Sequence, residues 1–255
     1  MNSRVILISD NRTSLRAPGT LLWSDAACMR GIHTGEWTAH IFEYAMSFEG
    51  NLAQVRELAA ANSVGVLHPH GALATEPPGL IVCDVDSTVT RTEAIDLLAE
   101  CAGKADEVRE VTARTMAGEL DFVESLYARV KCLEGLHIGT LEEARKATVV
   151  TPGAAELVAS AHEIGAAVGL VSGGFTALVD PLAKQIGADF ATSNELEVVD
   201  DHLTGRVVGD VVDRVAKATW LRRWASECGT GLERTIAVGD GANDLDMFAV
   251  AGLPV

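Results

Sequence analysis

The chain has 255 residues, 48% of them hydrophobic and 22% charged, with 36 acidic against 20 basic side chains and a formal net charge of −16. That length suits one sizeable core plus a smaller module, and the acidic balance argues against nucleic acid or an anionic membrane surface as the main partner. The five cysteines are scattered, odd in number and form no Cys-x-x-Cys, so they read as buried thiols of a cytoplasmic protein, not as a disulfide framework or a zinc site.

In chain order, "RVILIS" (4–9), "AHIFEYAMSF" (39–48), "NLAQVRELAAANS" (51–63) and "VGVLHP" (64–69) read as strand, strand, helix and strand of a small α/β module over residues 1–70. "RVILIS" is too short, and too soon followed by "DNR", to be a signal peptide, and no apolar stretch reaches the roughly 18 residues of a membrane span. His68 and His70 flank a proline; without further ligands nearby in sequence they read as loop histidines and not as a metal site. "GALATEPPG" (71–79), with its small residues and paired prolines, reads as a linker to a second domain, 80–255.

Beyond the linker the pattern changes. "GLIVCD" (79–84), "AAVGLVSGG" (166–174), "ADFATSN" (188–194) and "TIAVGDG" (235–241) are short, nearly continuous apolar runs that end in polar residues. Such runs suit a parallel sheet covered by helices on both faces, a doubly wound, Rossmann-like α/β core, and ligands in that class bind beyond the carboxyl ends of the strands. A long helical segment, about 93–148, follows the first of these strands and exceeds what a crossover needs, so a helical cap over the sheet is predicted there. "ELEVVDDHLTGRVV" (195–208) reads as an antiparallel hairpin turning near Asp200–Leu203.

Four polar clusters fall at one end of this predicted sheet: Asp84 with Asp86, Ser172-Gly173-Gly174, Lys217 at a helix start, and Asp240 through Asn243 and Asp244. Each alone has a plainer role as a helix cap, a turn or a surface lysine. Together they meet the needs of phosphoryl transfer, which depends on positioning and on neutralising phosphate charge. A hard cation held by Asp84 and Asp240 would cancel their charge, and oxygen ligands favour Mg²⁺ over zinc. Ser172, the Gly173 amide and Lys217 would supply donors from the other side. Asp84 could then attack phosphorus, with Asp86 moving the proton.

"DVDST", "SGG", a lone lysine and "GDGAND", in this order, resemble the haloacid-dehalogenase-like (HAD) superfamily of phosphatases, and the likeness covers roughly residues 80–254. Within it, "DVDSTVTRTEAID", "TMAGELDFVESLYARV", "VSGGFTALV" and "VGDGANDLDMFAVAGL" are similar to the phosphoserine phosphatase family. That resemblance implies Asp84 as nucleophile, Asp86 as general acid and base, and Mg²⁺ bound by Asp84, Asp240 and the backbone carbonyl of Asp86, with Asp244 orienting the metal's waters. It implies phosphate binding by Ser172, Gly173, Lys217 and Asn243, and contacts to the amino acid part of the substrate by Glu93, Arg129, Met116 and Phe122. A role in serine supply is implied in the same way. So are a further strand and helix beyond Val255, without which the sheet would have an apolar edge. The Glu93 and Arg129 pair also suits a zwitterion on physical grounds, offering an anion to an ammonium and a fork to a carboxylate. A surface salt bridge across the cap is the plain alternative for this pair, and ordinary core positions for Met116 and Phe122. Two other functions stay open at this point: a phosphatase or phosphotransferase for another small phosphorylated metabolite, and a non-enzymatic phosphoacceptor module resembling a response-regulator receiver.

Overall fold

The computed structural model describes residues 3–22, 26–34, 36–44, 48 and 51–255. They divide between Pro77 and Pro78 into two compact units, each with its own sheet. In the first, strand β1 (Ser3–Ser9) is followed by α1 (Arg16–Thr20), β2 (Cys28–His33), β3 (Thr38–Tyr44), α2 (Leu52–Ala60) and β4 (Gly65–Leu67). The strands form an antiparallel sheet in the order β2-β3-β1-β4. Burial alternates strictly along β1, so Val5 and Leu7 face a core with Phe42, Val55, Leu15 and Leu22.

This unit holds two elements that the sequence pattern does not announce. Helix α1, "RAPGT", contains a proline and a glycine, both poor helix formers, yet both are buried. Strand β2, "CMRGIH", is exposed along its whole length and has no alternating apolar pattern; its pairing with β3, Met29 opposite Phe42, makes it a strand. The run expected as a strand over 39–48 ends at Tyr44, and residues 45–47 of it lie outside the described residues.

The second unit begins with β5 (Leu80–Cys83), all four residues of which are buried. Their side chains alternate between two cores. Ile81 and Cys83 pack with Val158 and Ala161 of α7 (Ala154–Glu163) and with Val179, Leu182 and Ile186 of α8 (Thr176–Ile186). Leu80 and Val82 pack with Leu221 and Trp224 of α9 (Arg214–Glu227). A strand apolar on both faces, sandwiched by helices, is the doubly wound arrangement. With β6 (Ala167–Phe175), β7 (Phe190–Val199), β8 (His202–Val208), β9 (Thr235–Val238) and β10 (Leu253–Pro254), the sheet order is β10-β9-β5-β6-β7-β8. All these pairings are parallel except β7 with β8, a hairpin that turns at Asp200 and Asp201, both with positive φ. Asp is one of the few side chains that tolerates that region, which is why the turn could be located from sequence. Strand β10 pairs with β9 through Leu253 opposite Ile236 at the edge of this sheet.

Between β5 and α7 lie the cap helices α3 (Ala94–Cys101), α4 (Ala105–Met116), α5 (Phe122–Lys131) and α6 (Gly139–Ala147). The incoming and outgoing chains are stitched together at the cap's base, where Arg91 N donates to Val149 O at 2.8 Å and Thr151 N to Val89 O at 2.9 Å. Leu98, Leu126 and Leu133 form a core with Phe175 and with Leu196 and Leu203 of the hairpin. Helix α5 starts on a reciprocal capping box between Asp121 and Glu124, which sets the phase that brings Phe122, Leu126 and Arg129 to one face.

Candidate active site

Strand β5 ends at Cys83, and the two acids of "DVDST" stand just beyond it. The Asp84 amide still belongs to the sheet, donating to Val238 O at 2.8 Å. The chain then makes one wide turn, closed by Thr90 N on Val85 O at 2.8 Å, with Ser87 in the left-handed region at φ 57°. Asp84 and Asp86 keep extended backbone angles within it, so both side chains reach one cavity, as do alternate residues of a strand.

Asp84 is 2% exposed. Its Oδ1 accepts from Val85 N at 2.7 Å and pairs with Lys217 Nζ at 2.7 Å. Burial raises its carboxyl from 3.8 to about 6; the Lys217 ammonium opposes that rise and neighbouring Asp244 adds to it. Lys217, on the first turn of α9, is 1% exposed and also reaches Asp244 Oδ1 at 2.8 Å. Asp86 Oδ1 accepts from Ala94 N at 2.9 Å, and its Oδ2 accepts from Ser172 Oγ at 3.2 Å. Burial, with Glu93 as the next contributor, raises the Asp86 carboxyl to about 7. Ser172 Oγ in turn accepts from Gly174 N at 2.8 Å.

A cavity of about 220 Å³ opens on these groups, lined by Asp84, Asp86, Gly173, Asp240 and Asn243 from the sheet side and by Glu93, Phe122 and Arg129 from the cap. Its size suits a small metabolite. Glu93 precedes α3, and its Oε1 accepts from Ser87 Oγ at 2.7 Å. Arg129 is anchored by Nε on Ser125 O at 3.3 Å, and burial lowers its pKa against the opposing pull of Asp96 and Glu93. Phe122 closes on Gly173, where an added Cβ would lie 3.1 Å from the ring's Cζ.

Ser172 and Lys217 stand behind the cavity wall in contact with Asp86 and Asp84. Asp244 is fully buried, its Oδ2 accepting from Gly241 N at 3.2 Å. Met116, which the family resemblance implied would cover the substrate, is 85% exposed at the end of α4 and is not among the residues lining the cavity; a motif match carries residue type and not which way a helix end faces. Two contributors escape sequence reasoning: Ser87, which holds Glu93, and Asn194 on β7, which donates from Nδ2 to Gly173 O at 2.7 Å. The one signal for Asn194 is an amide in an otherwise strand-forming run.

The charge balance of the cavity is acidic. Asp84, Asp86, Glu93 and Asp240 face it against the single guanidinium of Arg129 among the described lining residues. A phosphate dianion would be repelled without added positive charge. One carboxylate oxygen from each of Asp84, Asp240 and Asp244 lies within 4.8 Å of the others, so this trio could hold a metal ion. Oxygen donors alone, with no histidine or cysteine in the set, fit a hard divalent cation.

Comparison with known proteins places this geometry. Residues 81–249 match the model of the haloacid dehalogenase-like hydrolases. A phosphoserine phosphatase of Streptomyces coelicolor is 50% identical over 197 residues, 77% of this chain and 48% of that relative. The chain thus spans about half the length of that relative. The crystal structure of a probable phosphoserine phosphatase from Vibrio cholerae, unliganded, superposes with a TM-score of 0.80 at 34% identity, covering 98% of this chain and 77% of that one. A phosphoserine phosphatase solved as a phospho-aspartyl intermediate analogue gives a TM-score of 0.65 at 42% identity, covering 70% of this chain and 86% of the other.

Proposed function

The chain belongs to the haloacid dehalogenase-like hydrolase family, and from that premise we propose that it hydrolyses O-phospho-L-serine to L-serine and phosphate through an aspartyl-phosphate on Asp84. The observation that carries this reading is the meeting, in one cavity, of Asp84 and Asp86 with the Glu93 and Arg129 pair. The first pair suits the phosphoryl group and the second a zwitterionic amino acid. The likeness to phosphoserine phosphatases, one of them captured as a phospho-aspartyl analogue, supports it.

Asp84 attacks phosphorus as the bond to the serine oxygen breaks. Asp86, with its carboxyl near 7, is poised to carry a proton at neutral pH and gives it to the departing alkoxide. The carboxylate left on Asp86 then takes a proton from the water that attacks the aspartyl-phosphate. This frees Asp84 and returns the proton to Asp86. Lys217, paired with Asp84 in a dry site, holds the nucleophile ionised and oriented. The Gly173 amide and Asn243, which line the cavity, supply donors to the phosphate oxygens, while Ser172 from behind the wall orients Asp86. The carboxylates of Asp84, Asp240 and Asp244 would hold Mg²⁺, with the Asp86 carbonyl added on the family resemblance alone, and the ion when bound would supply the positive charge that the acidic cavity lacks. Glu93 receives the substrate ammonium and Arg129 its carboxylate, while Phe122 walls off water.

A second reading is turnover of another small phosphorylated metabolite, because the core motifs do not select the substrate and that choice is left to the cap. Both are tested by phosphate release from phosphoserine, a phosphosugar and a phosphorylated alcohol lacking the amino group, with and without Mg²⁺. Strong preference for phosphoserine is expected; indifference to the amino acid part would favour the second reading.

A further inference from the structure

The ladder between β6 and β7 is broken at the site. Val171 pairs with Thr192 and Phe175 with Asn194, so four steps along β6 span two along β7, and Ser172-Gly173-Gly174 bulges out of register. The bulge removes the Gly173 carbonyl from its ladder partner. The Asn194 side chain replaces that partner, donating from Nδ2 to Gly173 O at 2.7 Å, while its Oδ1 accepts from Val212 N at 2.8 Å. Asn194 is 1% exposed, so neither bond competes with water.

A planar peptide points its carbonyl and the following N–H in opposite directions. Asn194 therefore holds one side of the Gly173–Gly174 peptide and Ser172 Oγ, accepting from Gly174 N at 2.8 Å, holds the other. The same Ser172 hydroxyl donates to Asp86 Oδ2. Two consecutive glycines are the most mobile backbone a phosphate loop can have and need an external anchor. Val212 lies just before Asp213, the cap of α9, whose first turn carries Lys217. One buried amide thus links the glycine loop, Asp86 and the helix of Lys217.

We propose that Asn194 is a positioning residue for phosphate: it locks the bulged Ser172-Gly173-Gly174 segment so that the Gly173 amide faces the phosphoryl group. This rests on the phosphatase reading above. The test is calorimetric binding of inorganic phosphate and, separately, of L-serine, in Mg²⁺ buffer, to the wild type, Asn194→Ala and Asn194→Asp. Asn194→Asp keeps the volume and the acceptor for Val212 while removing the amide donor. Both variants should bind phosphate about tenfold more weakly, the cost of one such bond, with L-serine affinity unchanged. Turnover should fall about 10²-fold, as for a reacting group misplaced by an ångström. Unchanged phosphate binding, or equal weakening toward phosphate and serine, would overturn the proposal, as would unfolding of both variants, which would assign Asn194 a purely architectural role. If the wild type binds phosphate and the variants lose it but phosphoserine is not turned over, the substrate reading fails and the positioning role stands. If the wild type binds no phosphate, both fail.

Discussion

Asp84→Asn preserves the shape of the side chain and removes its charge, which separates the chemistry of this residue from its packing. Lys217 keeps its bond to Asp244 at 2.8 Å, so the variant does not strand the ammonium. In the metal-free protein the buried Asp84 carboxyl titrates at about 6 instead of 3.8. The folded-state value is the higher one, so its contribution to stability is fully present below pH 3.8 and is lost as pH rises through about 6. Between pH 5 and pH 8 the loss corresponds to about one pH unit, from 5 to 6, or on the order of 1 kcal/mol. Urea unfolding at those two pH values, in the presence of a chelator, should show wild-type stability falling more steeply than that of Asp84→Asn by about that amount. Asp86 keeps some slope in both proteins, because its carboxyl is also raised. In Mg²⁺ buffer the same variant should lose phosphate release from phosphoserine by a factor of at least about 10⁴. Equal pH slopes would refute the burial argument, and preserved turnover would refute Asp84 as the nucleophile.

Gly174→Ala would place a Cβ 2.8 Å from Asp86 Oδ2 and 2.9 Å from Ser172 Oγ; turnover should fall about 10²-fold in steady-state assays while the circular dichroism spectrum is unchanged. Arg129→Lys replaces a planar fork by a point charge, so KM for phosphoserine should rise about tenfold or more, with little effect on any residual hydrolysis of a phosphorylated alcohol. Gly169→Ala, away from the cavity, would set a methyl 2.7 Å from the Trp224 ring; thermal unfolding should register a loss of about 1–3 kcal/mol from overpacking.

The strands leading into the site were legible because β5 is buried on both faces and its run "LIVC" carries no polar residue until Asp84. The hairpin was legible because Asp200 and Asp201 take positive φ, a local demand with a local signature. Strand β2 was not, since its pairing with β3 is a contact across the sheet that leaves no pattern in "CMRGIH". The orientation of Met116 was hidden for a similar reason, because a helix end faces wherever its neighbours leave room.

The sequence by itself determined the chemical inventory and its order: acids after the first core strand, a serine and two glycines after the second, a lysine at a helix start and acids again after the last, with a cap between the first two. Only the tertiary structure decided which of these groups touch. It brought Lys217 between Asp84 and Asp244, set Ser87 against Glu93, and turned Asn194 into the partner of the Gly173 carbonyl. Residue type and spacing report local preference. Contacts between residues far apart in the chain depend on sheet order, bulges and burial, which are settled by the packing of the whole unit.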